Sequence, residues 1–230
     1  MTLVVILCLL FIAILPVAAY AWDVQYDVAS GRLPTAVDPA WQFVTNGQEA
    51  PWIWNGALRI RNLDSSKHTY YARESWAIDA GVPVTMEARV CVSSGAPVIS
   101  IQTKGCYISL TICSDRLETR GWYDGLLTYD GDFTTFRTIR VAYDGSDQAY
   151  VWVDGQQAFS WALPIGAGGQ DGISFGTAHI ASVSSYSLWQ HVAYSKAFLP
   201  VPEPSSLATL ALGLLAAGAG LRRRTQRIIP

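Results

Sequence analysis

Residues 136–159 read FRTIRVAYDGSDQAYVWVDGQQAF, and this stretch decides the fold. Apolar and polar side chains alternate along it with a period of two, which is typical of half-buried β-strands. Two Asp-Gly pairs, Asp144-Gly145 and Asp154-Gly155, interrupt the alternation. Because such pairs favour tight turns between antiparallel strands, the stretch predicts three consecutive strands.

The same period continues on both sides of this stretch. Residues 84–92 alternate between an apolar face and a polar face that carries Glu87 and Arg89. The dipeptide Asn55-Gly56 separates two short apolar runs, which predicts a hairpin with a type I′ turn.

The last predicted strand covers residues 185–197. Its alternation predicts Trp189 and His191 on one face and Gln190 on the other. We find no helix pattern between residues 22 and 200. About ten short strands at this spacing predict an all-β fold, a two-sheet antiparallel jelly-roll sandwich, because each hairpin needs a second sheet to bury its apolar face.

Three segments of this pattern carry a resemblance to a known family. Residues 140–143 (RVAY), 150–155 (YVWVDG) and 172–176 (GISFG) resemble the late strands of concanavalin A-like lectin and glucanase domains, including the laminin-G-like branch. The resemblance covers roughly residues 40–198 and implies a jelly roll whose concave face or loop rim often meets saccharides. Because the same hairpin occurs in lectins, glycosidases, lyases and adhesion modules, the resemblance predicts the fold rather than an activity.

The N-terminal end is typical of a secretory signal. Residues 3–19 are apolar and uncharged, and Ala19 and Ala21 are the small residues that signal peptidase requires. We therefore predict a signal peptide, as a helix over residues 1–21, and one sandwich domain over residues 22–200. The usual basic residues before the apolar run are missing, so an uncleaved anchor is the alternative.

The C-terminal tail, residues 201–230, differs abruptly in composition. Its linker is stiff and extended because of the prolines in Pro202-Glu203-Pro204. An apolar, uncharged run follows at residues 207–221, where we predict a short transmembrane helix. Such a helix is about 22 Å long, less than the roughly 30 Å of a hydrocarbon core, so it crosses a bilayer only with help from its flanks. The tail then continues with three arginines: Arg222, Arg223 and Arg224.

This order of residues closely resembles the PEP-CTERM sorting signal of bacterial envelope and exopolysaccharide-associated proteins. The resemblance implies that an exosortase-type membrane protease processes the chain near Pro202-Glu203-Pro204, with the arginines of residues 222–224 as the stop-transfer cluster. It implies export across the inner membrane, transient anchoring, and a final location at the cell surface or in the extracellular matrix. The positive-inside rule likewise places the domain outside. A permanent single-span anchor is the alternative.

Charge and histidine spacing argue against two classes of partner. Residues 22–200 carry twelve Lys and Arg against seventeen Asp and Glu, without a basic cluster, so we expect no nucleic acid. His68, His179 and His191 stand singly, without a neighbour at ligand spacing, so we predict no metal site.

The sequence alone determines neither the pairing of the cysteines nor calcium binding by the loop at residues 130–132. Cys91, Cys106 and Cys113 remain after removal of the signal, and the sequence decides neither which two pair nor whether any pair. The resemblance leaves calcium open, with oxygens from Asp130 and Asp132. We nevertheless predict no cofactor and favour turn chemistry in that loop, because no EF-hand spacing is present.

The sequence contains no pattern typical of catalysis. Glycoside hydrolysis needs two carboxylates about 5–10 Å apart, and the related glucanases carry them as Glu-x-Asp-x-Glu on one strand. Here Glu87 is followed by Arg89, and Glu118 by Arg120, so we assign both glutamates to solvated strand faces. A polysaccharide lyase with a Tyr base and an Arg needs no short motif. A lyase or a glycoside hydrolase is therefore the enzymatic alternative.

The aromatic residues favour a binding function. All nine tryptophans lie within residues 22–200, and saccharide sites use exposed rings beside hydrogen-bonding side chains. The tryptophans within predicted strands are expected in the core: Trp52, Trp54 and Trp152. A predicted loop supplies our candidate saccharide site: Trp122, Tyr123 and Asp124. We predict a non-enzymatic domain that contacts polysaccharide, and a structural or adhesion protein without glycan binding is the second alternative.

Overall fold

The structure, a computed structural model, describes residues 22–46, 49–64, 67–74, 81–103, 106–119, 126–163, 172–177 and 184–201. The chain divides into two units, one of which is Trp22–Pro200. Of the other unit only Val201 is described, so the predicted signal and tail helices lie outside the described residues. The same holds for the residues assigned to processing: Ala19, Ala21, Pro202, Glu203, Pro204, Arg222, Arg223 and Arg224. No helix within the described ranges is long and apolar enough to cross a membrane.

Fifteen strands make up most of the described part of Trp22–Pro200. They are β1 (Val24–Asp27), β2 (Gln42–Thr45), β3 (Trp52–Trp54), β4 (Ala57–Asn62), β5 (Thr69–Glu74), β6 (Val84–Ser94), β7 (Val98–Thr103), β8 (Cys106–Ile112), β9 (Arg116–Thr119), β10 (Thr128–Asp130), β11 (Arg137–Tyr143), β12 (Gln148–Val153), β13 (Gln156–Ala162), β14 (Gly172–Thr177) and β15 (Ser185–Ser195). A 3₁₀ turn (Val28–Ser30) and a short helix, α1 (Pro34–Val37), follow β1. The sequence predicts no helix here, because one turn is too short to show a helical period.

The strands form two antiparallel sheets. Sheet A has the order β13-β12-β11-β6-β15-β4-β3, and β1 pairs with β15 on the same side as β4. Sheet B has the order β10-β9-β8-β7-β14-β5-β2. Strands distant in sequence are neighbours in both sheets, as jelly-roll crossovers require. The predicted two-sheet antiparallel sandwich is confirmed.

The core lies between the two sheets, and the alternation predicted for β6 is confirmed. Its inward side chains are fully buried: Val84, Met86, Ala88, Val90 and Val92. An aromatic cluster lies around Phe175, whose ring centroid is 5.0 Å from that of Trp189 and 5.6 Å from that of Tyr71. Each side chain of this size contributes roughly 1.5–3 kcal/mol by leaving water. The buried hydrophobic cluster among the described residues falls entirely within Trp22–Pro200.

Two of the three predicted turns are two-residue turns, whereas the connection at Asp144-Gly145 spans the four residues 144–147 between β11 and β12. Asn55 and Gly56 adopt φ angles of 47° and 70° between β3 and β4. Asp154 and Gly155 adopt 49° and 83° between β12 and β13. Positive φ at both central positions is what a type I′ turn requires, which explains the Asn-Gly and Asp-Gly pairs. The first of these turns sets the register of the hairpin described below as a candidate site.

The alternation predicted for the last strand is wrong beyond Trp189. Trp189 pairs with Val90 and faces the core, but a β-bulge shifts the register so that His191 pairs with Arg89. His191 therefore lies on the outer face, together with Gln190. The extra residue of a bulge is defined by the partner strand, so the period of one strand alone does not show it.

Candidate functional site

The loop predicted as a saccharide site lies outside the described residues. Trp122, Tyr123 and Asp124 fall between β9 and β10 in the chain, and their role stays a prediction. The described residues offer a different aromatic surface, on the outer face of sheet A. It consists of three rings and one guanidinium, and we call it the aromatic platform: Trp52, Trp54, Arg59 and Tyr186.

The alternation of two strands places these side chains outside the sandwich. On β3, Ile53 packs against the core, so Trp52 and Trp54 on either side of it point outward. On β4, Leu58 and Ile60 are fully buried, so Arg59 between them points outward. The strand register places Arg59 between two neighbours. Trp52 of β3 lies directly opposite it on one side, and Leu188 of β15 lies opposite it on the other.

Arg59 is held between two aromatic rings. Its guanidinium carbon lies 4.3 Å from the ring centroid of Trp52 and 4.4 Å from that of Tyr186. Each distance is well within the roughly 6 Å over which a cation is attracted to a ring face. The buried Nε atom of Arg59 has no hydrogen-bond partner. Among the residues the structure describes, the rings rather than an acidic side chain therefore hold this charge.

Trp54 is the exposed member of the platform. Its side chain is 47% exposed, although a strand position favours the core. The expectation that Trp52, Trp54 and Trp152 are buried core residues is wrong for Trp52 and Trp54, whereas Trp152 is buried as expected, at 4% exposure. Trp52 is half-buried against Arg59, and Trp152 lies on the outer face of sheet A, stacked on Tyr150 at 5.9 Å. A large ring can be buried on an outer face by neighbours there, which the period of its strand does not reveal.

An ion pair flanks the platform. Arg61 Nη1 lies 3.3 Å from Glu49 Oε1, and the two side chains are 35% and 30% exposed. At that exposure the pair adds little to stability, about 0–1 kcal/mol. The second carboxylate oxygen of Glu49 is buried and has no hydrogen-bond partner. The flank of the platform thus contains one more polar atom without a partner.

The described side chains of the platform are of the kinds that bind saccharides, and one described carboxylate lies at their flank. Flat aromatic faces stack on the apolar face of a sugar ring, and a guanidinium donates hydrogen bonds to hydroxyl or carboxylate oxygens. The carboxylate at its flank, Glu49, already pairs with Arg61. Glycoside hydrolysis needs two carboxylates placed around the scissile bond.

Glu87 also lies on the outer face of sheet A, but it is not solvated as predicted. Its side chain is 17% exposed and pairs with Arg140 at 2.7 Å, with His191 Nε2 at 3.8 Å from the other oxygen. Burial lowers the pKa of His191, although the negative charges of Glu87 and Asp27 oppose that shift. The prediction of a solvated face is wrong here because segments outside β6 cover it.

Glu118 is likewise buried instead of solvated, on the outer face of sheet B. It is 8% exposed and accepts a hydrogen bond from Arg116 Nε. Asp130 lies opposite Arg116 on the neighbouring strand β10, at the edge of the sheet.

The centre of sheet B carries no hydrolytic pair. The outward residues of β7, β8 and β14 are neutral: Val98, Ser100, Gln102, Tyr107, Ser109, Thr111, Gly172, Ser174 and Gly176. The hydroxyls of Ser109 and Thr111 are buried and have no hydrogen-bond partner. A carboxylate pair like that of the glucanases is therefore missing from the central strands of this sheet.

A polar pocket of about 220 Å³ lies beside Asp132. Asp132 accepts a hydrogen bond from the Thr134 backbone at 2.8 Å, and its bonds with Thr134 lower the pKa of its carboxyl group. Arg137 donates to the Asp132 carbonyl at 2.9 Å and pairs with Asp154 at 2.7 Å. These groups satisfy one another. In the described ranges no three His, Cys, Asp or Glu residues lie together as metal ligands.

Cys91 is a free thiol beside the segment of Asp132 and Thr134. Its Sγ atom donates to the Thr134 carbonyl at 3.0 Å, and its side chain is buried. Burial raises the pKa of the thiol, and the charge of Asp132 raises it further. The thiol is thus buried and hydrogen-bonded to the backbone, and its raised pKa favours the protonated form.

Comparisons with known proteins agree with the motif and with the fold. Residues 200–224 match the PEP-CTERM protein-sorting motif. No curated protein matches the sequence. The predicted resemblance of the tail to this sorting signal is confirmed.

Many solved structures share the sandwich. A sialidase aligns with a TM-score of 0.58 at 9% identity, covering 75% of this chain and 18% of that one. The carbohydrate esterase vb_24B_21 from the Shiga toxin-encoding bacteriophage phi24B aligns at 0.57 with 12% identity, covering 76% and 97%. The Crh5 transglycosylase aligns at 0.55 with 10% identity, covering 75% and 83%. At these identities the similarity shows the jelly-roll fold alone, and this chain spans less than a fifth of the sialidase.

Proposed function

We propose that this protein is an exported bacterial surface or extracellular-matrix protein whose sandwich binds polysaccharide through the aromatic platform without cleaving it. One observation carries the proposal. Trp54 is 47% exposed on the same strand as Trp52, and Trp52 and Tyr186 hold the charge of Arg59 between their rings. Exposed rings beside a hydrogen-bonding cation are the elements of a saccharide-binding surface.

The chemistry of Arg59 favours an acidic polysaccharide. A guanidinium bonds most strongly to carboxylates, and no carboxylate of the described residues pairs with Arg59. The neighbouring Arg61 is already paired with Glu49. Because the Nε atom of Arg59 is buried, a uronate-type carboxylate on the ligand would bond to the terminal nitrogens of the guanidinium. Binding of this kind weakens as salt screens the charges.

The sorting motif supports the delivery part of the proposal. We propose that an exosortase-type membrane protease cuts near Pro202-Glu203-Pro204, after residues 207–221 have anchored the chain transiently in the inner membrane. The freed domain then acts at the cell surface or in the matrix, with exopolysaccharide as its partner. The names of three structural neighbours are those of carbohydrate-active proteins, but it is the platform and not those names that supports binding here.

Binding by the isolated domain tests the proposal. The segment Trp22–Pro200 is titrated with acidic and neutral polysaccharides, including the producer's own matrix, while tryptophan fluorescence is recorded. We expect Trp54→Ala to weaken binding about tenfold, since stacking and packing of one ring are worth roughly 1–3 kcal/mol. Leu63→Ala is the matched control, because Leu63 is also 47% exposed.

Three outcomes would redirect the assignment. Failure to bind any polysaccharide would favour the structural or adhesion alternative. Release of reducing ends or unsaturated sugars would favour a hydrolase or a lyase. Binding that survives Trp54→Ala but is lost in Trp122→Ala would move the site to the predicted loop of Trp122, Tyr123 and Asp124.

A further inference from the structure

The residues that follow β15 are fixed to the outer face of sheet A through their backbone. Lys196 N donates to Asp23 Oδ2 at 2.6 Å. The hydroxyl of Thr85 donates to the Ala197 carbonyl at 2.7 Å and accepts from Leu199 N at 2.9 Å. Because Thr85 is fully buried on the outward side of β6, these bonds tie the segment to the centre of the sheet.

Side chains hold the same segment in place. Leu199 is 8% exposed, and its carbonyl accepts a hydrogen bond from Arg140 Nη1 at 3.1 Å. The ring of Phe198 packs edge-on against Tyr150, with centroids 5.4 Å apart. The segment between the sandwich and the sorting motif is therefore part of the folded domain and not a loose linker.

The other end of the domain meets the segment at this place. The guanidinium of Arg140 lies 5.4 Å from the ring centroid of Trp22. Asp23, the next residue, accepts from Lys196 N and from Ser195 Oγ, the latter at 3.3 Å. We call the whole arrangement the terminal clasp: Trp22, Asp23, Thr85, Arg140 and residues 195–199. The predicted signal cleavage, after Ala21, lies directly before it.

We propose that the terminal clasp ties the two ends of the domain together and confines cleavage during sorting to residues beyond it. The inference rests on the proposed processing near Pro202-Glu203-Pro204. The sorting motif begins at residue 200, directly after the clasp. An extended chain covers at most about 3.6 Å per residue, so the processed bonds lie within roughly 11–18 Å of Leu199. The sorting protease therefore works close to the domain surface.

The physical reason is that proteases bind extended backbone. The backbone groups of Lys196, Ala197 and Leu199 are engaged in the clasp, so their peptide bonds become accessible only when the clasp opens. Hydrolysis of a peptide bond consumes one water and leaves a carboxylate on the domain side and an amine on the tail side. The clasp takes no part in that chemistry and determines only which bonds a protease can reach.

Limited proteolysis of the full chain tests the clasp, with trypsin as the probe because it cuts after Lys196. We expect the Lys196–Ala197 bond to resist in the wild type and to be cut about tenfold faster in Asp23→Ala and in Thr85→Val, since cleavage follows the population of the open state. Asp27→Ala is the matched control. Asp27 is also exposed and accepts one backbone hydrogen bond, from Ala29 N at 2.8 Å, outside the clasp.

Cleavage after Arg140, in the middle of β11, reports global unfolding in the same digest. If Thr85→Val unfolds the domain, Asp23→Ala still tests the clasp. Asp23 lies outside the strands, so we expect its substitution to leave the sandwich folded. The proposal is overturned if Asp23→Ala is cut at Lys196 no faster than Asp27→Ala. It is also overturned if wild-type trypsin cleavage begins at Lys196 while the Arg140 site stays intact.

Processing in the producing host tests the consequence, by intact mass. We expect a single wild-type C-terminus beyond Pro200, and additional, shorter C-termini in the clasp variants. A wild-type mature form that ends before Pro200 contradicts the clasp. A chain that still contains Arg222 contradicts the proposed processing and the clasp's role in it, whereas the trypsin digest decides separately whether the clasp exists.

Discussion

Two arginines on the outer face of sheet A have opposite surroundings. Arg140, on β11, pairs with Glu87 at 2.7 Å, donates to the Leu199 carbonyl at 3.1 Å and lies under Trp22. Arg59, on β4, is held by two rings, and its buried Nε atom has no hydrogen-bond partner. The first arginine has its acceptors within the chain, and the second does not.

This difference distinguishes a structural arginine, Arg140, from a candidate binding arginine, Arg59, on the same face of sheet A. A buried charge with all its partners is expensive to disturb, because removal of one partner leaves the other buried and uncompensated. A charge held by rings alone costs little to remove but can gain a strong bond when a ligand supplies the acceptor. We therefore propose that the Arg140 region maintains the integrity of the domain and that the Arg59 region binds the ligand.

The largest difference that we expect between the two arginines is in the free energy of unfolding lost on substitution. Arg140→Met should lower the free energy of unfolding by about 3 kcal/mol, because it removes the charged partner of the buried Glu87 carboxylate and the hydrogen-bond donor to the Leu199 carbonyl. Arg59→Met should lower it by less than about 1 kcal/mol, because methionine keeps the contact with both rings. Urea unfolding of Trp22–Pro200 measures both values. Equal losses would show that Arg59 is as structural as Arg140.

A smaller effect comes from the two hairpin turns. Gly56→Ala and Gly155→Ala should each cost about 1 kcal/mol, because their φ angles of 70° and 83° disfavour a side chain. The Gly56 turn joins the strands of Trp54 and Arg59, so its variant should also weaken polysaccharide binding. Gly155→Ala should leave binding unchanged. Urea unfolding and fluorescence titration check the pair, and equal binding by both variants would argue against the platform.

The smallest effect concerns pH. Burial lowers the pKa of His191 in the folded state, so the unfolded chain takes up a proton first, near pH 6.5. The contribution of His191 to stability is therefore complete above that pH and is lost as the pH falls towards its folded pKa. We expect His191→Gln to flatten the loss of unfolding free energy between pH 7 and pH 5. An unchanged slope would show that His191 does not contribute to this pH dependence of stability. Polysaccharide binding at Arg59 should not change as His191 titrates.

The sequence predicts those parts of the molecule that depend on local pattern. The alternation of residues 84–92 and the turns at Asn55-Gly56 and Asp154-Gly155 follow from side-chain period and backbone freedom, and all are present. The order of residues in the tail likewise predicts the sorting motif found at residues 200–224.

Features that depend on distant segments could not be predicted. The bulge before His191 depends on the pairing of β15 with β6, and the burial of Glu87 depends on partners from β11 and β15. Trp54 lies on a strand at the end of sheet A, so its exposure follows from strand order. The platform joins the β3–β4 hairpin to β15, which is distant in sequence, whereas the loop of Trp122 could be proposed from the sequence because its residues are adjacent.

The pairing of Arg59 with a ligand carboxylate is the central claim, and a cycle of four affinities tests it most directly. Trp22–Pro200 and its Arg59→Met variant are each titrated with an acidic polysaccharide and with the same polysaccharide after reduction of its carboxyl groups. We predict that Arg59→Met weakens binding to the acidic form about tenfold and changes binding to the reduced form little. An equal loss with both forms would contradict the claim, because Arg59 would then not recognise the carboxylate.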